Sequence, residues 1–95
     1  MHVISRKILR QFAQKYPDSE KSLTRWFKIV QKSQFNTFDE LRSIFPSADL
    51  VGDLVVFDIG GNKYRLITSI HFNRQKIYIR YILTHLDYDK QTWKN

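Results

Sequence analysis

The sequence predicts an α+β fold, in which N-terminal helices pack on one face of a small antiparallel β-sheet. Two observations support this class. Apolar residues recur every three or four positions through the first half of the 95-residue chain, whereas from Leu54 they alternate with polar ones. Residues 1–95 are expected to form a single domain, since domains usually run to about 100–150 residues.

Three helices are predicted in the first half. The first ends before Pro17, which cannot continue a helix, and the second has apolar residues at i, i+3, i+4 and i+7. The third begins at Thr37, because Thr37 and Glu40 have the spacing of a capping box, and it ends at Pro46. The apolar stripes of the first two helices are Ile8, Leu9, Phe12, Ala13 and Tyr16, and Leu23, Trp26, Phe27 and Val30.

The second half predicts three antiparallel strands. The first, LVVFDI, ends at the sequence GGN, whose glycines favour a hairpin turn. The second and third, KYRLITSIHF and KIYIRYILTH, are separated by NRQ. The tail that follows is expected to turn helical between Tyr88 and Trp93. Trp93 would either pack on the sheet or contact a partner, and the sequence leaves both open.

The alternation in the last two strands predicts which side chains share a face. A tight hairpin that pairs Asn73 with Lys76 would place Arg65 and Arg80 on the face away from the helices, roughly 13 Å apart along the sheet. His85 would follow at the strand's end, nearer Arg65. The apolar face would hold Leu66, Thr68, Ile70 and Phe72 from one strand and Ile77, Ile79, Tyr81 and Leu83 from the other.

The composition limits the classes of function. The chain has no cysteine, which excludes disulfides, thiolate metal sites and cysteine nucleophiles. His2 and His71 have no ligand spacing to a second histidine or a carboxylate cluster, so no metal site is expected. The net charge of +7 favours polyanionic partners, nucleic acid first among them. No apolar run approaches the roughly 18 residues of a membrane span, and we expect a cytoplasmic protein without a membrane partner.

Arg65 and Arg80 are candidate phosphate ligands. The guanidinium group offers a planar fork of donors that fits phosphate oxygens and remains charged at any working pH. The alternative is that both are solvated residues on the open face of the sheet, with Arg65 in a surface ion pair with Asp58 of the neighbouring strand. The pattern alone favours this alternative.

The segment THLDYDK carries candidates for acid–base chemistry. His85 suits a general acid or base because imidazole titrates near neutral pH. Tyr88 can donate a hydrogen bond or share the proton transfer, Asp89 can orient the imidazole, and Lys90 adds positive charge. Together with the two arginines, these groups suit metal-free RNA cleavage, in which the 2′-hydroxyl attacks the adjacent phosphate. The alternative is a polar C-terminal turn that covers the sheet edge.

Three segments, MHVISRK, FDIGGNKYRLI and YIRYILTHLDYDK, resemble the HigB-type toxins of bacterial toxin–antitoxin modules, and the resemblance covers nearly the whole chain. It implies the fold of the RelE group, small α+β domains similar to microbial ribonucleases. It also implies an endoribonuclease without a cofactor that cuts messenger RNA in the ribosomal A site. The implied partner is a HigA-like antitoxin with a helix-turn-helix, through which alone the toxin would meet operator DNA.

The resemblance also implies site residues. Catalytic roles fall on Arg65, Arg80, His85, Tyr88 and Asp89, which match the family's motif positions. Contacts with RNA are expected from Arg65, Arg80, Lys90, Arg6, Lys7 and Arg10, and Lys15 is a further basic residue on the first helix. Which residue is the acid and which the base stays open. Two other functions also remain, a ribosome-independent endoribonuclease and a non-catalytic RNA-binding module.

Overall fold

The computed structural model describes residues 1–94 and confirms the α+β class; Asn95, the end of the predicted domain, lies outside the described residues. The elements in order are β1 (His2–Ile4), α1 (Arg6–Lys15), α2 (Glu20–Lys32), α3 (Phe38–Ile44), β2 (Asp49–Val51), β3 (Leu54–Ile59), β4 (Tyr64–His71), β5 (Lys76–Thr84) and α4 (His85–Asp89). Single 3₁₀ turns follow α1, β4 and α4.

The three predicted helices form where the sequence signals place them. The Thr37 side chain accepts the backbone N–H of Glu40 at 3.2 Å and so caps α3, while the Glu40 carboxylate accepts the N–H of Asn36 at 3.2 Å. Pro17 opens a 3₁₀ turn between α1 and α2, and Trp26 is buried in the core as expected. Within residues 1–94 no helix has the length and apolar character needed to cross a membrane.

The sheet has five strands, in the order β1-β5-β4-β3-β2, rather than the predicted three. β1 runs parallel to β5, with Val3 opposite Ile77, so the expectation of a fully antiparallel sheet is wrong at this edge. β2 adds an antiparallel strand at the other edge. Both added strands have three residues, which is too short for a period of two to be recognised.

The loop between β4 and β5 is longer than the predicted tight hairpin. His71 lies opposite Lys76, whereas the prediction paired Asn73 with Lys76. The intervening residues include a 3₁₀ turn, Phe72–Arg74, and Gln75 in the left-handed region with φ of 55°. The turn therefore uses backbone conformations that the short sequence NRQ does not signal.

A β-bulge in β5 changes which side chains face the core. Arg80 has no partner residue in β4, because the pairing shifts by one residue in the middle of that strand. Such an extra residue moves every later side chain to the opposite face of the sheet. Ile82 is therefore buried against the helices and Tyr81 is 39% exposed on the other side. The predicted inward positions of Tyr81 and Leu83 are wrong for this reason.

Both faces of the sheet are covered. The three long helices cover one face, where the fully buried side chains include Val30, Leu41, Phe57, Leu66 and Ile77. On the other face the segment after β5 folds back over the strands. Trp93 is buried there against Val56 and Ile67, with Leu83 and Tyr88 partly buried around it. Of the two roles left open for Trp93, the structure therefore shows packing on the sheet.

A polar link joins the α1–α2 turn to the glycine turn. The Tyr64 hydroxyl donates a hydrogen bond to Asp18 Oδ1 at 2.7 Å, and Lys63 Nζ lies 3.3 Å from Asp18 Oδ2. The Tyr64 hydrogen bond is the main reason that the pKa of the Asp18 carboxyl lies below its usual range. The same contact raises the pKa of Tyr64 to about 12.

We expect Asp18→Asn to lower the free energy of unfolding near neutral pH. Because the pKa of Asp18 is lower in the folded chain, its ionised form stabilises the fold above the unfolded pKa, and this contribution is lost as pH falls through the folded pKa. Urea unfolding at neutral pH and in strong acid measures the effect. The gap between wild type and variant should close in acid, while Asp53→Asn, an exposed carboxylate in another turn, should change little at either pH. A gap that is the same at both would contradict the assignment.

Candidate active site

The candidate site lies where β5 ends against the glycine turn and α4 begins. The Thr84 side chain accepts the backbone N–H of Asp87 at 3.2 Å and so caps α4. The backbone N–H of His85 donates to the carbonyl oxygen of Lys63 at 2.9 Å. These two contacts fix the first residue of α4, His85, beside the turn that joins β3 to β4.

Arg65 lies beneath the place where the end of β5, the glycine turn and the start of α4 meet, and its side chain is only 11% exposed. Its Nε is 3.1 Å from Asp58 Oδ1, so the ion pair considered for Arg65 forms, but the side chain is almost buried and not solvated on an open face. Nη1 donates to the carbonyl oxygens of Asn62 and Tyr64 at 3.3 and 3.2 Å. Nη2 donates to Asn62 Oδ1 at 2.6 Å and reaches His85 Nδ1 at 3.5 Å. Every guanidinium nitrogen thus has a partner within the chain, and none is left open to a phosphate in this arrangement.

His85 lies between Arg65 and Asp89. Its Nε2 is 3.3 Å from Asp89 Oδ2, one helical turn further along α4. Since arginine can only donate, the His85 Nδ1 that faces Arg65 must accept, and the neutral ring carries its proton on Nε2, toward Asp89. The side chain is 46% exposed, so a ligand can reach it. Lys90, expected to add positive charge, pairs with Asp87 at 3.5 Å.

Two side chains contact the Tyr88 ring. Trp93 stacks on it with ring centroids 5.0 Å apart, and Arg65 Cζ lies 5.5 Å from the ring centroid. Burial, followed by the nearby charge of Asp49, raises the pKa of Tyr88 above its usual value. The phenol, which is protonated at neutral pH even at its usual pKa, can donate a hydrogen bond. Its ring borders an open cleft of about 430 Å³, whose other polar side chains are Arg42, Ser47, Asp49, Asp58 and Arg65.

The predicted register, which paired Arg65 with Thr84 and Arg80 with Ser69 on one face of the sheet, is wrong. Leu83 is the residue opposite Arg65, and Arg80 lies three residues earlier, roughly 10 Å away along β5. Because Arg80 is the extra residue of the bulge, it lines a groove between β5 and α1, together with Gln11 and Lys15. Its guanidinium forms no ion pair or hydrogen bond within the described part of the chain, so its donors are available to a ligand.

The basic residues of α1 differ in their distance from the site. Lys15 lies at the end of α1 that meets the Arg80 groove. Arg6 is roughly 13 Å further along the helix axis, and its guanidinium lies over the Phe27 ring at 4.0 Å. Lys7 and Arg10 are exposed on the same helix. Lys15, named from the sequence only as a further basic residue, is therefore closer to the Arg80 groove than Arg6 is.

Asn62 is a residue of the site that the sequence did not indicate. It was assigned only to the turn, where Gly60 and Gly61 adopt the positive φ values of 64° and 69° that favour glycine. The spacing of GGN-x-x-R, which puts Asn62 three residues before Arg65, is the signal that could have linked the two side chains. Among residues 1–94, no group of three or more histidine, aspartate or glutamate side chains is arranged to hold a metal ion.

Comparison with known proteins relates the chain to a toxin family. The sequence model of HigB toxin, a RelE-like toxic component of a toxin-antitoxin system, matches residues 19–91. The chain is 37% identical over 92 residues to the mRNA interferase toxin HigB of Escherichia coli K12, a match that covers 94% of this chain and 88% of that protein. It is 33% identical over 95 residues to the mRNA interferase HigB of Escherichia coli O6:H1, covering 97% of this chain and 92% of the relative. The family match extends from α2 through α4 and includes the residues around His85.

Proposed function

The chain belongs to the HigB family of RelE-like toxins, and we propose that it is an mRNA interferase, an endoribonuclease that cuts messenger RNA in the ribosomal A site. The observation that carries the proposal is the half-exposed imidazole of His85 between Arg65 and Asp89, with Tyr88 on the same helix. This corner combines proton donors and acceptors with positive charge, which RNA cleavage requires. In the proposal, residues 1–95 act as one toxin domain in the cytoplasm.

The proposed reaction uses the RNA's own 2′-hydroxyl as nucleophile. A base removes the hydroxyl proton, the 2′-oxygen bonds to phosphorus, and the bond from phosphorus to the 5′-oxygen breaks as an acid protonates the leaving oxygen. The products are a 2′,3′-cyclic phosphate and a 5′-hydroxyl end. No metal or cofactor takes part in this proposal. DNA cannot react in this way, since it lacks the 2′-hydroxyl.

His85 and Tyr88 carry the two proton transfers. Tyr88 is proposed as the proton donor, since a phenol is protonated at neutral pH. Its raised pKa means that the proton is given up only to a strongly basic group such as the leaving 5′-oxygen. Asp89 orients the His85 ring through Nε2. Arg65 supplies positive charge from beneath the imidazole, where the low exposure of its side chain reduces screening by water.

The neighbouring phosphates of the RNA are proposed to bind elsewhere on the basic surface. Arg80 and Lys15 line one groove at the edge of β5, and Arg80 has its donors available. Arg6, Lys7, Arg10 and Lys90 contribute to the field that attracts RNA over a longer range, with the chain's net charge of +7 behind it.

The proposed partners follow from the family. A toxin of a toxin–antitoxin system requires an antitoxin that blocks it. We propose a HigA-like protein with a helix-turn-helix, which would bind the operator and bring the toxin to DNA only through itself. The ribosome is the second proposed partner, since it would present the RNA codon to the exposed face of His85.

A cleavage assay tests the function. Purified protein would be mixed with a defined messenger RNA in EDTA, with and without programmed ribosomes, and the cuts mapped by primer extension. Cuts that require ribosomes and leave a cyclic phosphate support the proposal as stated. Cuts on free RNA would support an endoribonuclease that acts without the ribosome. If the RNA stays intact in both arms although the folded protein binds it, the protein is a non-catalytic RNA-binding module.

Arg80→Gln should weaken RNA binding without reducing stability. Losing one phosphate contact should lower the slope of log affinity against log salt by about 0.7 for a single strand. Binding of a ribosome-free RNA, titrated over a range of salt concentrations, measures this slope. The matched control is Arg74→Gln, an exposed arginine in the turn before β5. Equal changes in the two variants would reduce the role of Arg80 to its contribution to net charge.

A further inference from the structure

Asn62 holds both terminal nitrogens of the Arg65 guanidinium. Its backbone carbonyl oxygen accepts from Nη1 at 3.3 Å, and its side-chain Oδ1 accepts from Nη2 at 2.6 Å. The second of these is the shortest contact that Arg65 makes. Asp58 holds the third nitrogen, Nε, from the neighbouring strand at 3.1 Å. Asn62 therefore accepts from both terminal nitrogens, as a carboxylate does in a bidentate ion pair with arginine. Together with Asp58 it fixes the plane of the guanidinium.

Burial does not explain why Asn62 makes this bond. The residue is exposed, so water could satisfy its amide, and its side chain has no other hydrogen bond with residues 1–94. The two preceding glycines, both at positive φ, turn the chain so that Asn62 lies over Arg65. An exposed amide that is turned toward an almost buried charge points to a role in orienting that charge.

The orientation of Arg65 in turn determines the orientation of His85. Its Nη2 is shared between Asn62 Oδ1 at 2.6 Å and His85 Nδ1 at 3.5 Å, so the short contact aligns the donor for the long one. Asp89 selects the tautomer less strictly than Arg65 does, since its solvent-exposed carboxylate can turn away from Nε2. The donor at Nδ1 is what requires the proton to be on Nε2.

We propose that Asn62 is a positioning residue, which holds Arg65 so that Arg65 keeps His85 in the Nε2-protonated tautomer and in the orientation used for RNA cleavage. The kinetic part of this inference rests on the proposed function. In this role Asn62 acts through Arg65 and not by contact with RNA or the reacting atoms. Its effect should therefore appear in the rate of cleavage and in the state of the imidazole, and not in the binding of substrate.

Kinetics with three variants test the positioning role. Asn62→Ala should lower kcat about tenfold with KM changed by less than about twofold, because a hydrogen bond to a charged group is lost away from the substrate. Asn62→Asp keeps an acceptor oxygen in the same place and should recover most of the rate. Asn73→Ala makes the same change in the exposed turn before β5 and should behave as wild type. A rate for Asn62→Ala equal to that of Asn73→Ala, or a fall in rate that only follows a loss of folded protein, would overturn the proposal.

The imidazole itself gives a readout that needs no activity. Long-range proton–nitrogen correlation spectra of ¹⁵N-labelled protein distinguish the two neutral tautomers, and a His85→Ala sample assigns the signals among the three histidines. In the neutral imidazole, wild type and Asn62→Asp should show the Nε2-protonated form of His85, and Asn62→Ala should show a mixture of the two tautomers. An unchanged tautomer in Asn62→Ala overturns the inference. If wild type cuts no RNA but the tautomer still differs between wild type and Asn62→Ala, the proposed function is refuted and the positioning role of Asn62 stands.

Discussion

His85→Ala is expected to lower the rate of messenger RNA cleavage by at least about a hundredfold, the usual contribution of one acid–base group. The loss should be chemical rather than structural. His85 is 46% exposed, lies outside both hydrophobic clusters, and its backbone N–H, which donates to the Lys63 carbonyl, is retained in alanine. The remaining activity would come from Arg65 and from positioning of the RNA by the ribosome.

The measurement is single-turnover cleavage on programmed ribosomes, with circular dichroism and a thermal melt on the same samples. His71→Ala is the matched control, because His71 is also exposed and lies at the opposite end of the β4–β5 hairpin. Its rate should equal that of wild type. Cleavage by His85→Ala at the wild-type rate would remove the imidazole from the mechanism, and a large fall in its melting temperature would show that His85 acts through the fold.

The long strands could be predicted from the sequence because their burial is strongly periodic. β3 has the same bounds as LVVFDI, and β4 and β5 begin and end within a residue of their predicted limits. β1 could not be found in this way. It has three residues, and its place beside β5 is set by a parallel pairing across more than seventy residues of sequence, which no local period records.

The face of each side chain was predictable only as far as the bulge. Alternation assumes that every residue of β5 has a partner in β4, and Arg80 has none. Ile82 and Tyr81 are both apolar enough for either face, so the sequence pattern could not reveal the shift. The consequence for function is that the two arginines lie in different surroundings. Arg65 is enclosed by the chain's own acceptors, whereas Arg80 lies at the edge beside α1.

The grouping of His85, Tyr88 and Asp89, to which we assign the acid–base roles only as a proposal, was predictable because the three residues are close in sequence. His85, Tyr88 and Asp89 lie within two turns of one short helix, and the spacing of four residues from His85 to Asp89 places both on one side of it. Asn62 and Trp93 were not predicted as members of the site, although each is close in sequence to the residue it contacts. Asn62 lies three residues before Arg65, and Trp93 lies five residues after Tyr88. Irregular turns bring each pair together, and turns have no hydrophobic period from which the contact could be read.

Trp93→Ala is expected to lower the free energy of unfolding by about 3 kcal/mol, the lower end of the range for removing a buried tryptophan. Trp93 is 7% exposed and covers Val56 and Ile67 on the face of the sheet that the long helices leave open. Urea denaturation measures the change, and the melting temperature should fall by roughly 15 °C for a domain of this size. Trp93→Phe keeps the aromatic packing and should be destabilised much less.

The same substitution should also slow cleavage, by a route that stability does not explain. Trp93 stacks on Tyr88 at 5.0 Å and its indole N–H donates to the Tyr88 carbonyl oxygen at 2.9 Å, so alanine leaves one face of the phenol ring unsupported. Because burial is the main cause of the raised pKa of Tyr88, that pKa should move back toward its usual value in Trp93→Ala. Cleavage measured well below the melting temperature, where the variant is folded, separates this effect from unfolding. A folded variant with wild-type cleavage would show that the C-terminal segment stabilises the sheet without holding Tyr88 for catalysis.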